Sequence, residues 1–277
     1  MTIVVINNSG LGNRIKNIVS ALRKGHLIRD VVDIKCKHQE LFQVAQCITV
    51  PRPDHFEVMS TWELLLLPEE LQRKLLRVPR SLMVHHRLRE SGSLGNRIDF
   101  QYFNIEREVV DEFLRYFALI FFNRSVLSAV EAFAAEFQLQ DRVGVHIRTW
   151  YDAPDRYELL YNIDDYFRIL DRIADAEKFF LSVDHEMARE AIISRYGSSR
   201  VLEPIGRTIA HISHDDRNNV GFDSMVDMLL LSRCKHLVGT YQSTFSECAW
   251  WFGGAIQPIQ IPVPRKIIEL EHALSQS

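Results

Sequence analysis

The sequence predicts an α/β protein with parallel sheets. Short β-branched or apolar runs alternate with helix-length stretches in both halves of the chain. The run VGVHIRT (143–149) has the continuous apolar character of a strand buried on both faces. A long apolar stripe without Pro or Gly ends near residue 138, so the expected boundary divides the chain into domains 1–138 and 139–277.

The elements follow in order. Thr2–Asn8 (TIVVINN) reads as a strand and leads into the tight loop Ser9-Gly10-Leu11-Gly12-Asn13-Arg14. Ile15, Ile18, Val19, Leu22 and His26 then recur at three and four, the spacing of one helix face. Val31–Lys35 is the next strand. The stretch 49–104 has four prolines (Pro51, Pro53, Pro68, Pro79), one apolar run at Leu64–Leu67 and a basic patch around His85, His86, Arg87 and Arg89; it fits short helices and a loop. Residues 105–137 read as helix, with a break near Asn123-Arg124-Ser125 and Ser125 as candidate cap. After the strand at 143–149, Asn162 opens a helix through Ile173, Lys178–Asp184 is a strand, and a helix starts at Glu186. Phe222–Cys234 is helical, His236–Thr240 a strand, Phe245–Phe252 helical, Ala255–Ile261 a strand and Lys266–Leu274 a final helix. The pentapeptide Leu-Gly-Asn-Arg-Ile occurs at 11–15 and again at 94–98; no strand precedes the second copy, which reads as coincidence.

Composition excludes several classes. With 277 residues, 47% apolar and 25% charged, the chain has ample core material, which rules out disordered, collagen-like and small disulfide-stapled proteins. The formal charge of −3 lacks the broad basic field of a nucleic-acid binder, but leaves room for a local basic pocket. The N-terminus has no basic segment before its apolar residues and reads as a strand rather than a signal peptide. The apolar run Phe117–Phe122 is too short to cross a bilayer, so no transmembrane segment is expected. The four cysteines (Cys36, Cys47, Cys234, Cys248) form no Cys-x-x-Cys pair and fit buried thiols in a reducing, cytoplasmic setting.

Three segments can carry chemistry. Gly10-Leu-Gly12-Asn13-Arg14 joins a strand to a helix: glycine permits the turn, free N–H groups at the helix start attract an anion, and Arg14 adds a charged fork. With Asp33 about 20 residues on, it partly matches a dinucleotide fingerprint, but Ile15 stands at the third glycine position. The bland alternative is a plain turn with a solvated Arg14. In Gly144-Val-His146-Ile-Arg148-Thr149, strand alternation puts His146 and Arg148 on one side of a strand end, where open α/β sheets bind ligands. Arg148 suits a diphosphate as a bidentate clamp; the alternative is an Arg–carboxylate pair beside a packed histidine. The segment Asp227…Ser232…Gly239-Thr-Tyr-Gln-Ser243-Thr244-Phe245-Ser246 pairs a helix and strand with a hydroxyl-rich loop opening another helix, either an anion cradle or ordinary N-capping. The chain contains no Asp-x-Asp to grip a metal–diphosphate.

In this order the segments resemble the fucosyltransferase superfamily of nodulation-type α-1,6-fucosyltransferases and core and protein O-fucosyltransferases. The resemblance rests on Gly10–Arg14, His146-Ile147-Arg148, Phe179–Asp184 and Asp227…Ser232…Ser243-Thr244-Phe245, and covers nothing in 36–140. It implies a GT-B-like fold, two Rossmann-type domains facing a cleft, with an acceptor-side domain at 1–138 and a nucleotide-sugar domain at 139–277. It implies inverting, metal-independent transfer of fucose from GDP-fucose to a glycan hydroxyl, with no cofactor. By the same resemblance Arg148 contacts the donor diphosphate and Asn13 lies near the transferred sugar; these are the catalytic candidates. His146, Arg148, Asp227 (or Asp223), Ser243, Thr244, Phe245, Gly12 and Arg14 are the donor-binding candidates. Some relatives continue His-x-Arg with Arg-Thr-Asp, where this chain has Thr149-Trp150-Tyr151-Asp152. No general base is assignable: Asp152, Asp155 and Glu158 lie downstream of the strand within reach of an acceptor hydroxyl, and each reads equally as a solvated loop charge. The rival readings are an NAD(P)-dependent oxidoreductase using Gly10–Arg14 and a non-catalytic GDP-sugar- or glycan-binding protein.

Overall fold

A computed structural model describes residues 2–7, 10–28, 31–36, 42–44, 107–173, 177–204 and 217–275. The stretch 49–104, the second Leu-Gly-Asn-Arg-Ile copy and Cys47 lie outside the described residues. The chain divides into two compact units, Met1–Leu127 and Ser128–Ser277.

In the first unit, β1 (Thr2–Asn7) and β2 (Val31–Cys36) pair in parallel, joined by α1 (Leu11–Ile28). The helix starts at Leu11, so Gly12, Asn13 and Arg14 lie in its first turn rather than in a loop; Arg14 N–H bonds the Gly10 carbonyl at 3.1 Å. Leu11, Ile15, Ile18, Val19 and Leu22 form the buried face, each worth about 1.5–3 kcal/mol when fully buried. The expected helix 105–137 is interrupted: α2 (Arg107–Phe117) gives way to β4 (Ile120–Phe122), antiparallel to β3 (Phe42–Val44), before α3 (Arg124–Phe137). Because α3 begins at Arg124, Ser125 lies inside its first turn and does not cap it. Arg23 on α1 ion-pairs with Glu112 on α2 at 2.7 Å.

The second unit is built on a five-stranded parallel sheet. Its strands are β5 (Val143–Ile147), β6 (Phe179–Val183), β7 (Val201–Leu202), β8 (His236–Val238) and β9 (Ile259–Gln260), in the order β7-β6-β5-β8-β9. The chain starts at the centre, runs outward through β6 and β7, then returns to the far side of β5 for β8 and β9. The helices are α4 (Pro154–Leu160), α5 (Ile163–Leu170), α6 (Glu186–Tyr196), α7 (Arg217–Arg233), α8 (Thr244–Phe252) and α9 (Arg265–Ser275). Asn162 caps α5, its side chain accepting from Asp164 N–H at 3.1 Å.

Alternation along β5 and β6 sorts residues between two covered faces. Val143, Val145, Ile147, Phe179 and Leu181 pack with Tyr166 and Leu170 of α5 and Ala188 and Ile192 of α6. Gly144, His146, Phe180 and Ser182 meet α7, α8 and the part of α3 after Leu127, which belongs to this second unit, instead. A Cβ on Gly144 would lie 3.0 Å from Leu231 and Cys234, so glycine lets α7 sit close to β5. Several expected strands are shorter than their apolar runs: β5 stops at Ile147, β8 at Val238, and β9 holds only Ile259 and Gln260. In the other direction, α7 starts at Arg217, ahead of the expected Phe222.

Candidate functional site

The sheet order reverses between β5 and β8, and at such a switch point doubly wound sheets leave a ligand-binding crevice outside the C-terminal strand ends. The two strands pair only from Val143↔His236 to Val145↔Val238, so His146 and Ile147 extend past the last pair. Thr240 fills the space beyond. Its hydroxyl donates to the His146 carbonyl (2.9 Å) and accepts from Arg148 N–H (2.9 Å) and the Tyr166 hydroxyl (2.8 Å). That uses its full hydrogen-bonding capacity and ties both strand ends and α5 to one oxygen. Burial pushes the Tyr166 phenol well above its ordinary range, so it remains a donor.

His146 lies on the α7/α8 side of the sheet, opposite Ser182 in register, and is 6% exposed. Its ring stacks on Phe245 with centroids 4.7 Å apart, and its Nδ1 meets Ser246 Oγ at 2.7 Å. Burial, helped by the nearby Arg148 cation, lowers its pKa to about 3, so the imidazole is neutral at physiological pH.

Arg148 stands beyond the strand rather than in it. Strand alternation therefore does not set its side relative to His146; the two residues are joined instead through the Thr240 hydroxyl. Its side chain is 34% exposed and already engaged, Nη1 with Asp184 Oδ2 at 3.0 Å and Nη2 with Asp152 Oδ1 at 3.1 Å. Asp184 also accepts from Thr149 N–H at 2.8 Å, which secures the chain just after Arg148. The guanidinium lies over the Trp150 ring at 5.3 Å, and Arg156 lies over the same ring at 5.0 Å. Trp150 (φ 61°) and Gln242 (φ 58°) both hold left-handed backbone, one on each loop leaving the crevice. Such strain costs on the order of 1–3 kcal/mol per residue and gathers at functional sites.

The β8–α8 loop comes close because Gly239 lacks a side chain: a Cβ there would lie 2.9 Å from Ser246 Cβ and 2.6 Å from Ile261. Ser243 occupies the N-cap position of α8, but its side chain makes no cap hydrogen bond, so ordinary capping does not account for it. Ser243, Thr244 and Phe245 are half-buried at this helix start. Asp227 lies within α7, 3% exposed, and accepts from the Ser182 hydroxyl at 2.6 Å. It thus stands behind the residue paired with His146.

The structure brings His146 against Phe245 and Ser246 and ties the Arg148 backbone to Thr240, while Ser243 and Thr244 open α8 just before Phe245 and Asp227 pairs with Ser182. Gly12, Asn13 and Arg14 belong to the first unit, where Arg14 is 8% exposed rather than solvated and Lys16 is buried as well. Asp33 lies in β2. Asp155 and Glu158 are exposed on α4. Cys234 and Cys248 are buried thiols outside any disulfide. Among the described residues no group of three or more His, Cys, Asp or Glu side chains gathers to hold a metal ion, and no helix is long and apolar enough to cross a membrane. The sequence assigned no role to Thr240, Ser246, Tyr166 or Trp150, and quoted Asp184 only as the end of the segment Phe179–Asp184. The hydroxyl-rich loop signalled Thr240 and Ser246 only as a group, and the others meet the crevice from separate elements.

No protein-family model matches the chain, and no curated protein matches its sequence. Solved structures do match. NodZ, an α-1,6-fucosyltransferase of Bradyrhizobium, soaked with GDP-fucose, is 14% identical with a TM-score of 0.55, covering 91% of this chain and 92% of that one. The chain has a fucosyltransferase fold. Arabidopsis thaliana FUT1 in complex with GDP is 16% identical (TM-score 0.54; 94% of this chain, 69% of that). POFUT1 in complex with GDP is 12% identical (TM-score 0.52; 94% and 98%). The GT-B-like class expected from the sequence is the class these structures share. Whereas the sequence resemblance stopped short of residues 36–140, the structural likeness spans about nine-tenths of the chain. At such identities the fucosyltransferase fold is established and the reaction is a separate question.

Proposed function

We propose that this protein is a glycosyltransferase that moves fucose from GDP-fucose to a glycan hydroxyl, with inversion and without a metal. The observation that carries the reading is the β5/β8 crevice, where a neutral His146, the Arg148 guanidinium and the α8 start with its uncapping Ser243 converge. Exposed helix N–H groups and a guanidinium suit a diphosphate. In this reading the second unit holds GDP. Negative charge grows on the departing GDP, and Arg148 and the α8 N-terminus offset it, as a metal would elsewhere. The pair with Asp152, whose side chain is 76% exposed, yields readily to a phosphate, whereas Asp184 keeps the guanidinium aimed. Ser243, Thr244 and Phe245 form the phosphate-side loop. Asp227 acts through Ser182 on the floor of the crevice rather than on the nucleotide. Asn13 is assigned to the transferred sugar, and Gly12 and Arg14 to donor binding, on the family resemblance. Asp152, Asp155 and Glu158 remain the candidate bases for the acceptor hydroxyl.

A thermal-shift panel tests the nucleotide: GDP should stabilise the chain more than UDP, CMP or NAD, by about 2.7 kcal/mol at a hundredfold excess over Kd. Stronger stabilisation by NAD would favour the oxidoreductase reading instead. Turnover tests the reaction: Arg148→Ala should lower GDP-fucose turnover by on the order of 10²–10³ with the fold intact. Near-normal turnover in a folded variant would defeat the mechanism. GDP binding by the unmodified protein, without donor hydrolysis or transfer, would mark a binding protein.

A further inference from the structure

The Ser246 hydroxyl decides which nitrogen of His146 carries the proton. Thr240 N–H donates to Ser246 Oγ at 3.0 Å, so one lone pair of that oxygen is occupied. Its own proton needs an acceptor, and Ser246 is 3% exposed. The remaining partner is His146 Nδ1, at 2.7 Å. Were Nδ1 protonated, it would donate to Ser246 Oγ, and the serine proton would be buried without an acceptor among the described residues. A hydroxyl has one proton to give, and leaving it unmet is costly in a buried site. Nδ1 is therefore the acceptor, and the neutral ring carries its proton on Nε2. Phe245, stacked at 4.7 Å, holds the ring plane.

We propose that Ser246 is a positioning residue that locks His146 in the Nε2–H tautomer, so that the ring offers a ligand a hydrogen-bond donor and not a lone pair. Among the described residues His146 Nε2 has no hydrogen-bond partner, which leaves it for that ligand. Beside the Arg148 cation, a fixed N–H suits an anionic oxygen such as one of a nucleoside diphosphate. It cannot accept the proton of an incoming hydroxyl, so His146 is not the general base. The tautomer stands on the geometry of Thr240, Ser246 and His146 alone; its effect on GDP rests on the proposed function.

Long-range ¹H–¹⁵N NMR of the labelled full chain reads the tautomer directly, with the His146 signals identified by their loss in His146→Gln. The expected result is a pyridine-type Nδ1 and a pyrrole-type Nε2 in the unmodified protein. The reverse pattern would overturn the proposal. Ser246→Ala should shift the ring to a mixture of tautomers, and Ser246→Thr, which keeps the hydroxyl, should restore the single form. A pure Nε2–H form in folded Ser246→Ala would overturn the role of Ser246. If Ser246→Ala does not fold, the unmodified protein and Ser246→Thr still decide the tautomer. GDP should bind roughly tenfold more weakly to Ser246→Ala and normally to Ser246→Thr. A tautomer change with unaltered GDP affinity would support the role of Ser246 and overturn instead the placing of the nucleotide on His146.

Discussion

His146 is buried as a neutral ring, whereas the unfolded chain exposes it at its ordinary pKa of 6.5. The lowered folded value means that below pH 6.5 the unfolded state binds a proton that the native state refuses. This contribution to stability is fully present above pH 6.5 and is lost as pH falls toward about 3, at about 1.4 kcal/mol for each pH unit crossed. Thermal melts from pH 8 to pH 4 should therefore show a steeper acid loss in the unmodified protein than in His146→Gln, which cannot titrate. Equal slopes would mean that His146 is not buried neutral. Arg148 yields a second expectation under the proposed function. Asp152→Asn removes the exposed carboxylate that competes for Nη2, so GDP affinity should rise by a few fold at most, since an exposed pair is worth about 0–1 kcal/mol. Calorimetric titration reads this, and a marked loss of affinity would show that Asp152 orients the guanidinium.

At the scale of elements, the crevice depends on how closely α8 follows β8. Gly239→Ala would press a methyl against Ser246 and Ile261. Overpacking of this kind costs about 1–3 kcal/mol, which urea denaturation should register. The same variant should disturb the His146 ring signals, because Ser246 must move; undisturbed signals would show that the contact is absorbed elsewhere. The long helical stripe at 105–137 hid β4 for a related reason. In Phe117-Ala-Leu-Ile-Phe-Phe122 every position is apolar, so helical and strand spacings fit equally, and the choice fell to antiparallel pairing with β3, far away in sequence. The apolar run at 255–261 promised a longer strand than β9, whose recorded pairing with β8 covers two positions. By contrast, β2, β6 and α8 were legible nearly to their ends, because each has one clear period bounded by turn residues.

At the scale of the whole molecule, a formal charge of −3 leaves the proposed GDP few cations to meet: Arg148 is shared with Asp184 and Asp152, and His146 is neutral. Under the proposed function, the positive charge offered to GDP is local, on Arg148 and the α8 N-terminus, rather than spread over the surface. GDP binding should then weaken only modestly with salt, by a few fold between roughly 50 and 200 mM, unlike the losses of about 10³ or more seen where many phosphates are neutralised. Titrations at several salt concentrations check this, and a steep dependence would call for further cations at the site.

By itself the sequence determined the α/β class, most element positions, and a short list of candidate site residues centred on His146 and Arg148. Those are encoded locally, in hydrophobic period and in basic residues at the end of an apolar run. Only the tertiary structure decided that β8 lies beside β5, and hence that Thr240 and Ser246 reach His146 from 94 and 100 positions away, with Tyr166 joining them from α5. It likewise decided that Arg148 leaves the strand and is shared between Asp184 and Asp152. Strand order and hydroxyl partners are set by packing between distant segments, and no local period records them.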